Sequence, residues 1–173
     1  MIDLSKLEIN SVINIGAGHY SEPQNDFWRQ IHKATAKVAL DIHDDRLKSW
    51  INTGWVPIKR NANLLDDPFI DKSFDLAMAT DLIEHLDRAS GFALIDQMER
   101  IAKKAVVIFT PVGFLDTEKY QKEAVGDDRT LIHRSGWDPE VFKALGYEVE
   151  IIKDLHNFGD TKFSAFWAWR VLK

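Results

Sequence analysis

Two carboxylates and an imidazole fall within five residues of one another in the run Asp81-Leu82-Ile83-Glu84-His85-Leu86. Asp81, Glu84 and His85 are spaced i, i+3, i+4, so on a helix they would share one face. Imidazole titrates near neutral pH, which fits His85 for removing a proton from a substrate hydroxyl or amine. A plainer reading uses the same spacing: Asp81 followed three residues later by Glu84 is a helix capping box in all but the hydroxyl.

A second chemical signal lies upstream, in Val12-Ile13-Asn14-Ile15-Gly16-Ala17-Gly18-His19-Tyr20. An apolar strand that runs into glycines exposes bare backbone, because no Cβ blocks the approach of a ligand, and the amides that follow can bind an anionic group. Asp41 closes the next apolar run, Val38-Ala39-Leu40-Asp41-Ile42. Doubly wound folds place an acid at this strand end to accept hydrogen bonds from a ribose diol.

These residues need a scaffold that brings strand ends together. Apolar runs alternate with helical patterns along the chain, as in a parallel sheet covered by helices. Strands are expected at Val12–Ile15, Lys37–Ile42, Val56–Arg60, Phe74–Ala79, Ala105–Thr110, Tyr147–Ile152 and Phe163–Leu172. Ser21 with Gln24 reads as a capping box, with Pro23 in the first turn, for a helix through Phe27, Trp28 and Ile31. Further helices are expected around Arg46–Ile51, over Leu82–Ile101 as one long amphipathic element, and after Asp138-Pro139-Glu140 up to Gly146. Gly113 to Gly136 reads as a long crossover loop with a helical turn near Glu118–Glu123, and loops of this length are often functional. The last strand is apolar on both faces and belongs inside a sheet. The fold class is therefore α/β: a Rossmann-like three-layer sandwich with a mostly parallel seven-stranded sheet and an antiparallel last strand, in a single domain over residues 1–173.

Composition narrows the partners. With 22 basic against 27 acidic residues, a net charge of −5, the chain has no electrostatic footprint for gripping nucleic-acid phosphates. It has no cysteine, hence no disulfides or thiolate metal sites. No stretch resembles a signal peptide or a membrane span, which predicts a cytoplasmic protein without membrane contact.

Taken together, the glycine loop, the acidic strand end at Asp41, Ser73-Phe74-Asp75-Leu76 leading to Asp81-Leu82-Ile83-Glu84-His85-Leu86, Met98-Glu99-Arg100-Ile101-Ala102 and His133-Arg134-Ser135-Gly136-Trp137 resemble a class I S-adenosylmethionine-dependent methyltransferase of the small, core-only type. The resemblance spans nearly the whole chain. It implies S-adenosyl-L-methionine as cofactor, bound by Asn14, Gly16, Ala17, Gly18, His19, Tyr20, Asp41, Ile42, Asn61, Ala62, Thr80 and Asp81. In this set Asn61 and Ala62 would meet the adenine edge, and the glycine loop the methionine portion. The His19 side chain is given no role of its own. His85 is the expected general base; His133 and Trp137 could line the acceptor pocket, or Trp137 could pack the loop onto the sheet with His133 at the surface. A metal site from Asp81, Glu84 and His85, which similar quinone-pathway methyltransferases suggest, is a further reading, while the expectation here is that no metal is held.

Three positions depart from the family pattern: Asn14 and Asn61 stand where acids are usual, and Tyr20 adds bulk at a small-residue position. The leading expectation is methyl transfer to an oxygen, nitrogen or carbon of a small or glycan-like acceptor. Thr110-Pro111-Val112-Gly113 differs from the pattern of nucleic-acid amino methyltransferases. The departures motivate a second reading, a non-catalytic methyltransferase-like partner subunit, and a homodimer is the other protein contact considered. A nicotinamide-dependent oxidoreductase fits less well, because Ser21 takes the third fingerprint position.

Overall fold

The computed structural model describes residues 4–21, 26–61, 69–120, 128–158 and 160–173. The apolar runs become strands β1 (Ser11–Ile15), β2 (Ala36–Asp41), β3 (Val56–Lys59), β4 (Phe74–Thr80), β5 (Ala102–Pro111), β6 (Glu148–Phe158) and β7 (Thr161–Val171). They form one sheet in the order β3-β2-β1-β4-β5-β7-β6. β1 to β5 pair in parallel, and β7 runs antiparallel between β5 and β6. Because β2 lies on one side of β1 and β4 on the other, the chain changes winding direction there and leaves a crevice at the carboxyl ends of the strands.

Helices α1 (Asp26–His32), α2 (Asp44–Lys48), α3 (Arg88–Ile101), α4 (Thr117–Tyr120) and α5 (Pro139–Ala144) connect them. Side chains of successive strand residues point to opposite faces, so the sheet feeds two cores. Ile13, Ile15, Ala77 and Ile108 pack with Leu94, Ile95 and Met98 of α3 and with Phe142 of α5. Val12, Leu76, Met78 and Val107 pack with Phe27 and Ile31 of α1 and Leu47 of α2. β4 and β5 are buried on both faces, which is why their sequences are nearly continuous in apolar residues.

Several expected boundaries move. The helix expected over Leu82–Ile101 is two elements: a 3-10 turn at Ile83–His85, then α3, which begins only at Arg88. Its cap is Asp87, whose carboxylate accepts from the Ser90 N–H at 3.0 Å and the Ser90 hydroxyl at 2.8 Å. The Asp81–Glu84 capping box is therefore not formed; Leu82 precedes the 3-10 turn with no side-chain cap, and the three polar residues do not share a regular helix face. β5 starts at Ala102 and β6 runs on to Phe158, while α2 spans Asp44–Lys48 in place of Arg46–Ile51. The helical turn near Glu118 is α4, and its expected continuation past Tyr120 lies outside the described residues, as do Pro23 and Gln24 of the expected capping box.

The crossover between β5 and α5 is pinned at its base. Gly113 N–H donates to the Trp137 carbonyl at 2.7 Å and Trp137 N–H returns to Gly113 at 3.3 Å. Gly136 fits here because a Cβ would come within 2.7 Å of the Phe114 nitrogen.

Candidate active site

A cleft of about 770 Å³ opens at the carboxyl ends of the parallel strands, within the size range that holds one drug-sized ligand. Gly16, Ala17, Gly18 and His19 line one end, with Asp41, Ile42 and Asn61 beside them. Gly16 and Gly18 sit at φ +66° and +61°, a region that L side chains rarely adopt. Asp41 is buried, and its two oxygens brace the site: one accepts from Gly18 N–H at 2.9 Å, the other from His43 N–H at 2.9 Å. Each carboxylate oxygen keeps a further acceptor direction for a ligand hydroxyl. The Trp50 indole N–H bonds the Gly18 carbonyl at 2.8 Å and fixes the loop from below.

Two residues expected at this end do not line the cleft. Asn14 is buried in β1, and its Oδ1 has no hydrogen-bond partner. Tyr20 turns away, its ring edge-on to Trp50 at 5.1 Å, so its bulk fills the α2 side and not the ligand space. Ala62 lies outside the described residues.

The close of β4, the strand next to β1, adds a second wall. Thr80, Asp81, Leu82 and His85 line the cleft, Leu82 lying against Gly16, and Asp81 takes φ 50° where the chain leaves the sheet, its N–H donating to the Phe109 carbonyl at 3.0 Å. The 3-10 turn is clamped by the returning crossover: Arg134 and Ser135 N–H both donate to the Glu84 carbonyl, at 2.7 and 3.1 Å. Trp137, at 0% exposure, donates its indole N–H to Ser135 Oγ at 2.9 Å and to the Ile83 carbonyl at 3.3 Å. Trp137 is therefore a packing residue that holds the turn, and it does not line the cleft.

Beneath His85 lies a polar trio. Glu84 is buried; Thr110 Oγ1 donates to its Oε2 at 2.9 Å, and Oε1 has no partner. His133, expected at the acceptor pocket, is buried as well, with its ring 4.7 Å from that of His85 and its Nδ1 unpartnered. One ligand atom from each of Glu84, His85 and His133 lies within 4.8 Å of the other two. The set that could hold a metal thus exchanges Asp81, expected from spacing, for His133, which the crossover supplies from 48 residues beyond His85. Burial, reinforced by the Asp81 carboxylate, pushes Glu84 up to about 8. Burial holds His133 down to about 4, and it lowers His85 too, with Arg46 and Arg134 adding to the effect.

Sequence reasoning passed over Trp28, Arg46, Phe109, Arg134 and Trp167, all of which line the cleft. The tryptophans read as core by spacing; Trp167 pairs in register with Phe109 across β5 and β7, so the antiparallel last strand delivers a second ring to the cleft wall. That pairing is a tertiary fact with no local signature.

No protein-family model matches the chain, and no curated protein does either. Solved structures do share its fold. A SAM-dependent methyltransferase from Archaeoglobus fulgidus matches with a TM-score of 0.61 and 18% identity over 95% of this chain and 87% of that one. The YcgJ protein of Bacillus subtilis matches at 0.62, with 11% identity over 98% and 95%. Magnesium protoporphyrin IX methyltransferase of Synechocystis, solved with bound SAH, matches at 0.58, with 11% identity over 96% and 76%. The chain has the class I methyltransferase fold.

Proposed function

We propose that this protein is an S-adenosylmethionine-dependent methyltransferase acting on a small-molecule or glycan-like acceptor. The observation that carries the reading is Asp41, buried at the end of β2 and bonded to the N–H of Gly18, so that a ribose acceptor and a glycine loop with open backbone share one wall of the cleft. When bound, the cofactor supplies an electrophilic methyl on a sulfonium, a good leaving group, so the protein's task is mainly alignment. The Gly16–Gly18 backbone receives the methionine portion, Asp41 the ribose, and Asn61 borders the adenine end. In the turn after β4 His85, kept neutral near pH 7 by burial and by the Arg46 and Arg134 charges, can take a proton from the acceptor at its ring nitrogen.

One observation favours a metal-assisted form of the same reading. The unpartnered Glu84 Oε1 and His133 Nδ1, buried next to His85, match the mixed oxygen and nitrogen donor set of a divalent cation. A cation held by Glu84, His85 and His133 would supply Lewis acidity to an acceptor oxygen. His85 would then be a ligand and not the base.

Isothermal titration with S-adenosylmethionine and S-adenosylhomocysteine tests the proposal, with nicotinamide cofactors as controls. Micromolar affinity, about −8 kcal/mol, is expected. No heat from a folded sample would overturn it in favour of a non-catalytic partner subunit, and binding of the nicotinamide cofactor alone would favour an oxidoreductase.

A further inference from the structure

Resting on the methyltransferase reading, we infer that the acceptor is a flat aromatic molecule carrying an anionic group. Two independent features of the cleft point there. The first is an aromatic wall. Phe109 of β5 and Trp167 of β7 line the cleft with centroids 4.6 Å apart, Phe27 backs Trp167 at 5.2 Å, and Trp28 lines the same space from α1. Phe109 pairs with Thr80 at the close of β4, and Phe27, Trp28 and Trp167 share a core cluster with Ala17, so the wall borders both the glycine loop and the strand end that leads to His85. Packed rings that present a face to a cavity favour offset or edge contacts with another ring.

The second feature is charge. Among the described residues three carboxylates border the cleft: Asp41 and Asp87 are engaged by backbone and serine donors, and Asp81 stands at the end of β4. Against them stand Arg46 and Arg134, both close enough to His85 to disfavour its protonation. Arg46 is shared with Asp128 at 3.5 Å. The Arg134 backbone is fixed on the Glu84 carbonyl at 2.7 Å, while its guanidinium has no carboxylate partner among the described residues. A guanidinium at the cleft wall with no carboxylate partner among the described residues is a positive spot that draws an anion to it. An acceptor with both a ring and an acid group would satisfy the wall and Arg134 together, and a neutral sugar would leave Arg134 unanswered.

The test uses three probes of similar size on the full chain saturated with S-adenosylhomocysteine: benzoate, benzamide and cyclohexanecarboxylate, each followed by calorimetry. Benzoate is expected to bind about tenfold tighter than either of the others. Arg134→Gln is expected to erase its advantage over benzamide, and Trp167→Leu its advantage over cyclohexanecarboxylate, with S-adenosylhomocysteine affinity unchanged. If Trp167→Leu fails to fold, Trp28→Leu serves the same purpose from α1. Equal affinities for the three probes, no saturable benzoate binding, or a preference that survives Arg134→Gln would overturn the inference while leaving the methyltransferase reading intact. Failure of S-adenosylhomocysteine to bind at all would remove both.

Discussion

Thr110 donates its hydroxyl to one oxygen of Glu84 and leaves the other without a partner, in a position where both residues are out of solvent. A single hydroxyl at the end of β5 therefore decides which Glu84 oxygen is free for the two histidines. Thr110→Val keeps the shape and removes the donor, leaving a second buried acceptor unsatisfied. A loss of about 1–3 kcal/mol in urea unfolding is expected. Unchanged stability would mean that Glu84 is satisfied by another route.

The pH dependence of stability follows from the same trio. Glu84, pushed from its usual 4.5 up to about 8, holds a proton in the folded chain that the unfolded chain has released, so stability falls as pH rises between those values. His133, held from 6.5 down to about 4, acts in reverse, and stability rises with pH across that window. The two oppose below pH 6.5, and above it only the Glu84 effect remains. In chelator-treated protein the melting temperature is expected to fall between pH 6.5 and 8, and Glu84→Gln should flatten that fall. Adding Mn²⁺ or Zn²⁺ to the parent but not to Glu84→Gln should raise the melting temperature if the trio takes a metal.

Gly91 faces Trp137 across α3, where a Cβ would come within 2.4 Å of the indole Cζ2 and 3.2 Å of Ile83 Cγ1. Glycine to alanine inside a helix ordinarily gains up to about 1 kcal/mol. Here overpacking of about 1–3 kcal/mol should win, so Gly91→Ala is expected to melt earlier than the parent. It should also displace the Ile83–His85 turn, read as a lower turnover at unchanged cofactor affinity.

Asp41→Ala removes the acceptor for Gly18 and His43 N–H together with the ribose partner. Affinity for S-adenosylhomocysteine is expected to drop by about tenfold or more in calorimetry. His85→Ala should do the reverse, lowering turnover by about 10²–10⁴-fold with cofactor affinity held. Full affinity in Asp41→Ala would remove the ribose assignment, and full turnover in His85→Ala would remove the base.

The strand pattern was open to sequence reading because β1, β4 and β5 are buried on both faces and therefore spell themselves out in apolar runs, and Gly16 and Gly18 mark a turn after β1 that takes positive φ. Asp41 follows from its strand end, while Ile42, Asn61, Thr80 and Asp81 were named by the family resemblance; all five line the cleft. What sequence hid was set by packing across the sheet. Asp87 caps α3, and not Asp81, because the chain first spends a 3-10 turn hydrogen-bonded to the crossover. His133 and Trp137 are close in sequence to cleft-lining Arg134, yet alternate positions of an extended segment point opposite ways, so the first two are buried and Arg134 is exposed.

The Gly113–Trp137 bridge makes the crossover a closed loop whose two ends are fastened to each other and to the sheet, while Thr130, Leu131 and Arg134 on it reach the cleft. Lengthening such a loop costs little closure entropy, about 0.6 kcal/mol for each doubling. Part of acceptor choice thereby rides on a loop tethered at both ends: a graft within it that keeps the Gly113–Trp137 junction, the buried Leu115 and Thr117, and His133 to Ser135 beside the Glu84 turn should refold on the same sheet with a shifted acceptor preference.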